Sequence, residues 1–179
     1  RYDSAYFFEK IKTNHSYIYH LLDIVPNDLF CEKNNNLIAK KVERSPFLTI
    51  KREPDLSFKD NKAKTFLDIR EETSSTFQGV IGLQQNQSGH TIGVGSLALD
   101  IQNLFRSGKQ FKLDWERFSE QSQSLSLFYK HPFFLDSKIS PSFSFELLKQ
   151  DTTFLSRITG IGLNTYIAPR IELFLGYEA

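Results

Sequence analysis

Polar and apolar residues alternate along the chain from about residue 75 to its end. In the stretch 111–116, for example, Phe111, Leu113 and Trp115 alternate with charged residues. Neighbouring side chains on a β-strand point to opposite faces, so this alternation gives one apolar face and one polar face. The pattern predicts seven strands, at residues 76–84, 91–104, 109–118, 122–131, 140–150, 154–166 and 170–178.

Alternation of this kind is typical of two classes of protein. Transmembrane β-barrels are built from strands of about ten residues whose apolar side contacts lipid. Soluble β-sandwiches have the same period, with the apolar side packed in a core. In both classes the same residues form the apolar face, and in a barrel they face lipid: Phe111, Leu113, Trp115, Leu125, Leu127, Tyr129, Phe143, Phe145 and Leu147.

The first seventy residues follow a different pattern. Ile18, Leu21 and Leu22 recur at helical spacing and predict a helix over 16–24, with Ser16 as its N-cap. The remaining predicted elements are a helix at 32–44 and short strands at 6–12, 47–52 and 64–70. The order β-α-α-β-β predicts a small α+β domain, two helices on a three-stranded sheet, at residues 1–72. The strands at 75–179 form a second domain.

Composition excludes several functions. The net charge is +1 and no basic stripe is present, so no nucleic-acid partner is predicted. No run of about 18 apolar residues occurs, which excludes a transmembrane helix. The four histidines are scattered and no nucleophile motif appears, so we predict no metal site, no cofactor and no enzymatic activity. Cys31 has no partner for an internal disulfide, and we expect it to be a small buried residue. The chain begins at Arg1 and contains no methionine, which we interpret as a piece of a longer secreted precursor.

Several segments together resemble a known family. The sequence at 21–30 resembles the helix-to-turn segment of a POTRA domain, with Asn27 where that family usually has glycine. The segments 45–48 and 66–71 are similar to that domain's closing strands, and 79–82 and 103–109 resemble the opening of the barrel that follows it. The segment 129–135 is similar to a signature of the barrel's fourth strand, with His131 in place of the usual aspartate. The family is the superfamily of bacterial outer-membrane barrel-assembly insertases and their secretion relatives.

The resemblance implies an α+β POTRA domain in the periplasm, followed by antiparallel all-β strands of an incomplete transmembrane β-barrel in the outer membrane. Barrels of this type have at least eight strands, normally an even number, so the seven predicted strands need further strands to close. The implied partners are the outer-membrane lipid bilayer, unfolded client barrel proteins and accessory lipoproteins. We expect the charged residues of the polar face to line a hydrated lumen: Lys112, Asp114, Glu116, Lys130, Glu146, Arg170 and Glu172.

Two strands are predicted to carry the insertion function. An edge strand of the POTRA sheet would bind an extended client by β-augmentation, through main-chain hydrogen bonds. It comprises Phe47, Leu48, Thr49, Ile50, Lys51 and Arg52. The first barrel strand would form one lip of a lateral seam, and comprises Phe77, Gln78, Gly79, Val80, Ile81, Gly82 and Leu83. Both strands are also compatible with an ordinary structural role.

The connections between strands give a geometric expectation. If the first barrel strand leaves the N-terminal domain, every second connection returns to that domain's side, at 106–108, 135–138 and 167–169. Two alternatives to an insertase remain: a two-partner secretion transporter of the same architecture, and a soluble periplasmic binding module with a β-sandwich.

Overall fold

A computed structural model describes residues 1–85, 88–151 and 153–179 of the chain. An N-terminal α+β module precedes a large antiparallel sheet. The helices are α1 (His15–Leu22), α2 (Glu32–Asn35) and α3 (Ile38–Val42). The strands of the module are β1 (Tyr2–Phe7), β2 (Leu48–Ile50), β3 (Asp55–Lys59), β4 (Lys62–Leu67) and β5 (Ile69–Glu71). The strands of the large sheet are β6 (Thr76–Gln85), β7 (Thr91–Leu104), β8 (Lys109–Arg117), β9 (Gln123–Lys130), β10 (Ile139–Gln150), β11 (Phe154–Ala168) and β12 (Ile171–Glu178). Every helix in these ranges is too short and too polar to cross a membrane.

Helix α1 forms as its hydrophobic spacing predicts. Ile18 and Leu22 are fully buried on its inner face. The predicted N-cap was wrong by two residues, because the Asn14 side chain accepts the backbone N–H of Ser16 at 2.9 Å. Asp23 ends the helix in the left-handed conformation, with φ 53°.

The second predicted helix is two short helices, so the prediction of one helix over 32–44 was wrong. Three consecutive asparagines, Asn34 to Asn36, are poor helix formers because their amides compete for backbone groups. The Asn34 side-chain nitrogen donates to the Asp23 carbonyl at the end of α1, at 2.8 Å, which ties this segment to the first helix. The prediction for Cys31 was also wrong. This residue lies just before α2 with its side chain exposed, while its carbonyl accepts from the Tyr2 hydroxyl.

The sheet of the module differs from the predicted one. Its strand order is β1-β4-β3, with β1 parallel and β3 antiparallel to β4, while β2 and β5 form a separate antiparallel pair. The third strand is therefore β3 and not the predicted 47–52. Asp60 and Asn61 join β3 to β4 with φ of 52° and 59°, the two left-handed residues of a type I′ hairpin turn. These two residues identify the β3–β4 hairpin. In the sequence pattern, the apparent break at Glu53 and Pro54 hides strand β3.

The buried apolar core lies entirely in this module. Its members come from the strands, the helices and the segments between them: Tyr2, Ala5, Tyr17, Ile18, Leu21, Leu22, Ile24, Ile38, Val42, Phe47, Leu48, Ala63, Leu67 and Ile69. The large sheet contributes no buried apolar side chain within the described ranges. Burial of apolar surface is the main stabilising contribution to folding in water. The module has such a core, whereas the large sheet needs a different solvent or a partner to cover its apolar side chains.

The large sheet is a simple meander of seven strands in the order β12-β11-β10-β9-β8-β7-β6. All neighbouring strands are antiparallel, and each starts and ends within two residues of its predicted bounds. The prediction of seven antiparallel strands is confirmed. Strands β6 and β12 form the two edges, and no strand of the described chain pairs with their outer sides.

Candidate functional site

The predicted apolar face is continuous across β8, β9 and β10. Trp115 lies opposite Leu125, which lies opposite Leu147 on the next strand. The rows Leu113–Leu127–Phe145 and Phe111–Tyr129–Phe143 run parallel to it. Cross-strand neighbours at this spacing share a face, so all nine predicted residues lie together. On β11, Arg157 interrupts this face opposite Leu147, near the strand end farthest from the module.

This apolar face is not covered by a second layer. Within the described ranges, all nine residues are half-buried or exposed, and Phe143 is 42% exposed. Towards the free edge at β12 the same face becomes more exposed, with Ile161 at 61% and Leu175 at 71%. A β-sandwich would pack a second sheet about 10 Å away on this side. The described sheets have three, seven and two strands, and none is paired face to face with this one in the buried core.

The opposite face carries most of the polar residues. Lys112 pairs with Asp100 at 3.0 Å across β7 and β8. Lys130 on β9 reaches Glu172 on β12 at 2.8 Å, across two intervening strands. Asn164 donates to the same Glu172 oxygen at 2.9 Å. We infer that the sheet curves towards this polar face, because a flat sheet separates strands three places apart by about 14 Å.

Arg170 was predicted on this polar face, and that prediction was wrong. It lies in the turn between β11 and β12, and its guanidinium pairs with Glu43 of the module at 3.1 Å. The alternation places residues correctly within a strand, but it does not locate the last residue of a turn.

The two predicted edge strands are both edges in the structure, in different ways. Strand β6 pairs with β7 alone, and its apolar residues Phe77, Ile81 and Leu83 are 69%, 92% and 79% exposed. In the module, only Leu48–Ile50 of the predicted segment 47–52 is a strand, and it pairs with β5 alone. Phe47 and Leu48 are buried in the core, so their side chains are not available to a client.

The flanking basic residues of that segment have partners. Lys51 pairs with Glu9 at 2.5 Å, and Arg52 with Asp68 at 2.8 Å. Strand β3 is a second edge, since it pairs only with β4 and four of its five residues are exposed. Strands β1 and β5 are edges of the same two sheets, so β2 and β3 are two of the module's four edge strands among the described residues.

Three turns of the large sheet contact the module, and they are the three that were predicted to return to its side. The first joins β7 to β8. Its Arg106 carbonyl accepts the backbone N–H of Asn14 at 2.7 Å, and Asn103 donates to the Thr13 hydroxyl at 2.7 Å. Gly108 ends the turn at φ 73° directly against Tyr17, where a Cβ atom would lie 2.0 Å from the ring.

The second turn joins β9 to β10 and brings an aromatic residue into the contact. Phe133 packs on Tyr17 with ring centroids 5.5 Å apart and stacks on His20 at 5.7 Å. Lys138 at the end of this turn pairs with Asp23 at 2.8 Å. The turn thus contacts the whole length of α1, from Tyr17 to its C-cap.

The third turn joins β11 to β12. The Arg44 Nε donates to the Pro169 carbonyl at 3.0 Å, and the guanidinium lies 4.3 Å from the centre of the Tyr166 ring. Arg170 and Glu43 form the ion pair described above. Together the three turns fix the module against the rim of the sheet, which we call the docked rim (residues 103–108, 131–138 and 166–170).

A charge pair between a buried lysine and a partly exposed aspartate lies behind the docked rim. Lys41 is almost fully buried and donates to the Leu22 carbonyl and to Asp23, both at 2.8 Å, as well as to Asn34. Burial acts to raise the pKa of Asp23, but hydrogen bonds from Lys138 and Lys41 outweigh it, so the pKa lies below its usual value. Burial lowers the pKa of Lys41, and Asp23 opposes that effect. Asp23 therefore connects the module's interior to the docked rim.

Local sequence patterns do not predict most of these contacts. Tyr17, Arg44 and Thr13 are ordinary module residues by pattern, and their partners lie roughly ninety residues or more further along the chain. Gly108 and Phe133 lie in or beside the segments that resemble the family, and nothing in their local pattern marks them as contact residues. The rim also has an unusual backbone that only the structure shows, because several of its residues are left-handed, including Asn103, Phe105, Arg106, Phe133 and Leu135.

Comparisons with known proteins agree with this architecture. No family model matches the chain, and no curated protein matches it. Among solved structures, the crystal structure of BamA from Haemophilus ducreyi lacking POTRA domains 1–3 matches 99% of the chain with a TM-score of 0.60 and 16% identity. CdiB from Acinetobacter baumannii matches 99% of the chain with a TM-score of 0.59 and 15% identity.

The chain spans 35% of that BamA chain and 38% of that CdiB chain, about a third of each. At these identities the likeness shows the fold. The fold is BamA-like, with the seven-stranded sheet corresponding to a portion of the barrel, which confirms the predicted resemblance.

Proposed function

We propose that this chain is part of an outer-membrane protein-assembly factor that inserts client β-barrel proteins. In this proposal the N-terminal module is a POTRA domain in the periplasm, occupying residues 1–72, and residues 75–179 are the first seven strands of the barrel. The observation that carries the proposal is the uncovered apolar face that runs across the large sheet. BamA, an outer-membrane insertase, has the same fold over nearly the whole of this chain.

The apolar face supports a bilayer as one partner. Exposed apolar patches on soluble monomers rarely exceed a few hundred square ångströms, and this face spans seven strands. In a bilayer the hydrophobic effect favours the exposure of these side chains to lipid, and the backbone groups are satisfied by the sheet. The outer edges of β6 and β12 need partners under the same rule, and further strands or a client strand supply them.

The exposed strand edges of the module and of β6 define where clients bind. We propose that an extended client first pairs with an edge of the module, at β2 or β3, and then with β6, which acts as a lip of a lateral seam. Main-chain pairing does not depend on client sequence, so one edge can serve many clients. Accessory lipoproteins of an assembly complex remain a predicted partner on the family resemblance alone.

A second candidate function, secretion of a polypeptide through the lumen, rests on the charged concave face. CdiB, a two-partner secretion transporter, matches the chain as well as BamA does. The Lys130–Glu172 pair and the pair of Lys112 with Asp100 are features of a wetted wall. A transporter uses that wall as its path, whereas an insertase works at the seam.

Cysteine labelling tests the membrane placement. In full-length protein with Cys31 replaced by serine, single cysteines at Leu127 and Phe145 should react with a lipid-phase reagent, and those at Ser126 and Ser144 with a water-soluble one. The outward and inward pairs lie on the same strands and differ by one residue, so they control for depth. The opposite result, with the outward positions protected from both reagents, would mean that a protein layer covers this face and would end the proposal.

Cross-linking separates the two functions. A disulfide that locks β6 to its neighbour at the seam should stop insertion of client barrels into liposomes while passage of a polypeptide through the lumen continues. A cysteine pair that locks β8 to β9 is the control, because those strands are already paired along their length. Full insertion with the seam locked would exclude a role for the seam in insertion. Secretion that fails only when the lumen is blocked would favour the second candidate function.

A further inference from the structure

A cationic pocket lies at the docked rim, beside the turn between β11 and β12. The cavity has a volume of about 260 Å³ and is lined by both parts of the chain. Four of its lining residues are basic and one is acidic: Lys33, Lys41, Arg44, Lys138 and Asp23. The lining is therefore strongly cationic, although the whole chain carries a net charge of only +1.

The internal pairs do not use up this positive charge. Asp23 accepts from Lys41 and Lys138, and Lys41 gives its remaining donors to Leu22 and Asn34. Among the described residues, Arg44 uses only Nε, for Pro169, and its terminal nitrogens have no hydrogen-bond partner. Within the same ranges, Lys33 has no ion-pair partner. A guanidinium fork and two exposed ammonium groups form a typical receptor for a phosphate group.

The electrostatics of Lys41 favour the binding of an anion in the pocket. Burial lowers the pKa of Lys41, and repulsion from Arg44 and Lys138 lowers it further, against the attraction of Asp23. An anion in the pocket would offset that repulsion. The fold holds these basic side chains close together, although acidic groups in the pocket do not balance their charge.

The apolar surroundings indicate the source of the phosphate. Ile167 lines the pocket and is 66% exposed, and the outward apolar face of the last hairpin begins beside it. Ile171, Leu173 and Leu163 continue that face away from the module, at 56%, 54% and 48% exposure. A phospholipid joins a phosphate to acyl chains, so it can contact the cationic pocket and this apolar hairpin at the same time.

We propose that this pocket binds the phosphate of a lipid headgroup in the leaflet next to the module. The inference rests on the proposed function only in so far as it places the sheet in a bilayer with the docked rim at headgroup depth. Bound there, the lipid bridges the module and the last hairpin and stabilises their docking.

Cys31 provides a direct probe, because it lines the same pocket, is exposed and is the only cysteine. In the full protein in uncharged detergent micelles, the rate of Cys31 modification by a maleimide is measured with and without added compound. The compounds are short-chain phosphatidylglycerol, diacylglycerol with the same chains, and inorganic phosphate. We expect protection by phosphatidylglycerol at the lowest concentration, weak protection by phosphate, and none by diacylglycerol.

The matched variants are Lys33→Gln with Lys138→Gln, and Lys40→Gln as the control. Lys40 is exposed on α3 and does not line the pocket, so its loss removes charge from the module without touching the site. The double variant should need about tenfold more phosphatidylglycerol for half-protection, since charge-assisted contacts to phosphate are lost. Each variant is compared with its own lipid-free rate, because the lysines also influence the thiol.

Equal protection by phosphate and by phosphatidylglycerol would assign the site to free phosphate and overturn the lipid source. Equal protection of the double variant and of Lys40→Gln, or protection by diacylglycerol, would overturn the cationic site itself. These measurements need no client protein. A failed insertion assay therefore leaves the pocket in place, and an unprotected Cys31 leaves the proposed insertase in place.

Discussion

Gly108 is the position where one added methyl group should uncouple the module from the sheet. Its φ of 73° is unfavourable for any other residue, and a Cβ there would lie 2.0 Å from the Tyr17 ring. Left-handed backbone costs alanine about 1–2 kcal/mol. The overlap with a buried ring adds about 1–3 kcal/mol, as overpacking does elsewhere. Gly108→Ala should therefore lower the free energy of unfolding of the docked module by about 2–5 kcal/mol.

Gly89 provides the control for backbone strain. Its φ is 78°, nearly the same, but a Cβ there would meet nothing within 4 Å. Urea unfolding is followed by two probes, a fluorophore on the exposed Cys31 for the module and the intrinsic fluorescence of Trp115 for the sheet. Gly89→Ala should leave the module transition unchanged, whereas Gly108→Ala should shift it to lower urea.

A double-mutant cycle with Tyr17→Leu isolates the steric part. The smaller side chain gives the Cβ of residue 108 room, so the two changes together should cost about 1–3 kcal/mol less than their separate effects predict. Two results would refute the reasoning: a module transition that Gly108→Ala leaves at its wild-type midpoint, or purely additive effects in the cycle. Either would mean that Tyr17 and the first turn are not in contact in solution.

Three further predictions concern the module. Burial raises the pKa of Tyr17 to about 12 from 10.0, so the folded state retains the proton at pH values where the unfolded state loses it. The free energy of unfolding should therefore fall as the pH rises from 10 to 12, by about 1.4 kcal/mol per pH unit. The variant Tyr17→Phe should show no such dependence in urea titrations at a series of pH values. Burial acts to raise the pKa of Glu71, but hydrogen bonds from Thr13 and Lys12 outweigh it and leave the pKa below its ordinary 4.5. Its stabilising effect is then present above pH 4.5 and lost below, and Glu71→Gln should show a flatter acid unfolding profile than wild type. Arg44→Lys should weaken the docking of the third turn by about 1–2 kcal/mol, because lysine lacks the planar fork that stacks on Tyr166; unchanged hydrogen exchange at residues 166–170 would contradict this.

The large sheet was predictable because its strands are long and one-sided. A one-residue slip in register would move every apolar side chain to the other face, so the sequence must specify the alternation strongly. The module was harder to predict because its elements are short. Strand β3 carries only two apolar residues, Leu56 and Phe58, beside a proline that suggests a break. Its hairpin turn, Asp60–Asn61, is a weaker signal than a turn that contains glycine.

The docked rim could not be predicted from local patterns at all. Arg44 reads as a charged residue at the end of a helix, and its contacts with Pro169 and Tyr166 depend on the path of the whole chain. The same holds for Cys31, where hydrophobic character suggested burial and the position before a short helix leaves it exposed. In this chain the local sequence determines the helices and strands, whereas contacts between residues far apart in sequence determine the docked rim.

The docked rim also makes the two edges of the sheet unequal. Strand β12 follows the third turn directly, so Arg44 and Glu43 hold the two residues that precede it against the module. Strand β6 follows the module through the segment 72–75, and within the described part of the chain its one pairing partner is β7. The turns that bind the module belong to β7 and the strands beyond it. Exchange of pairing partners along the outer edge of β6 therefore breaks none of the contacts of the docked rim. We propose that this geometry suits β6 as one lip of a lateral seam, because the module and the other six strands can stay in place while the outer edge of β6 changes partners.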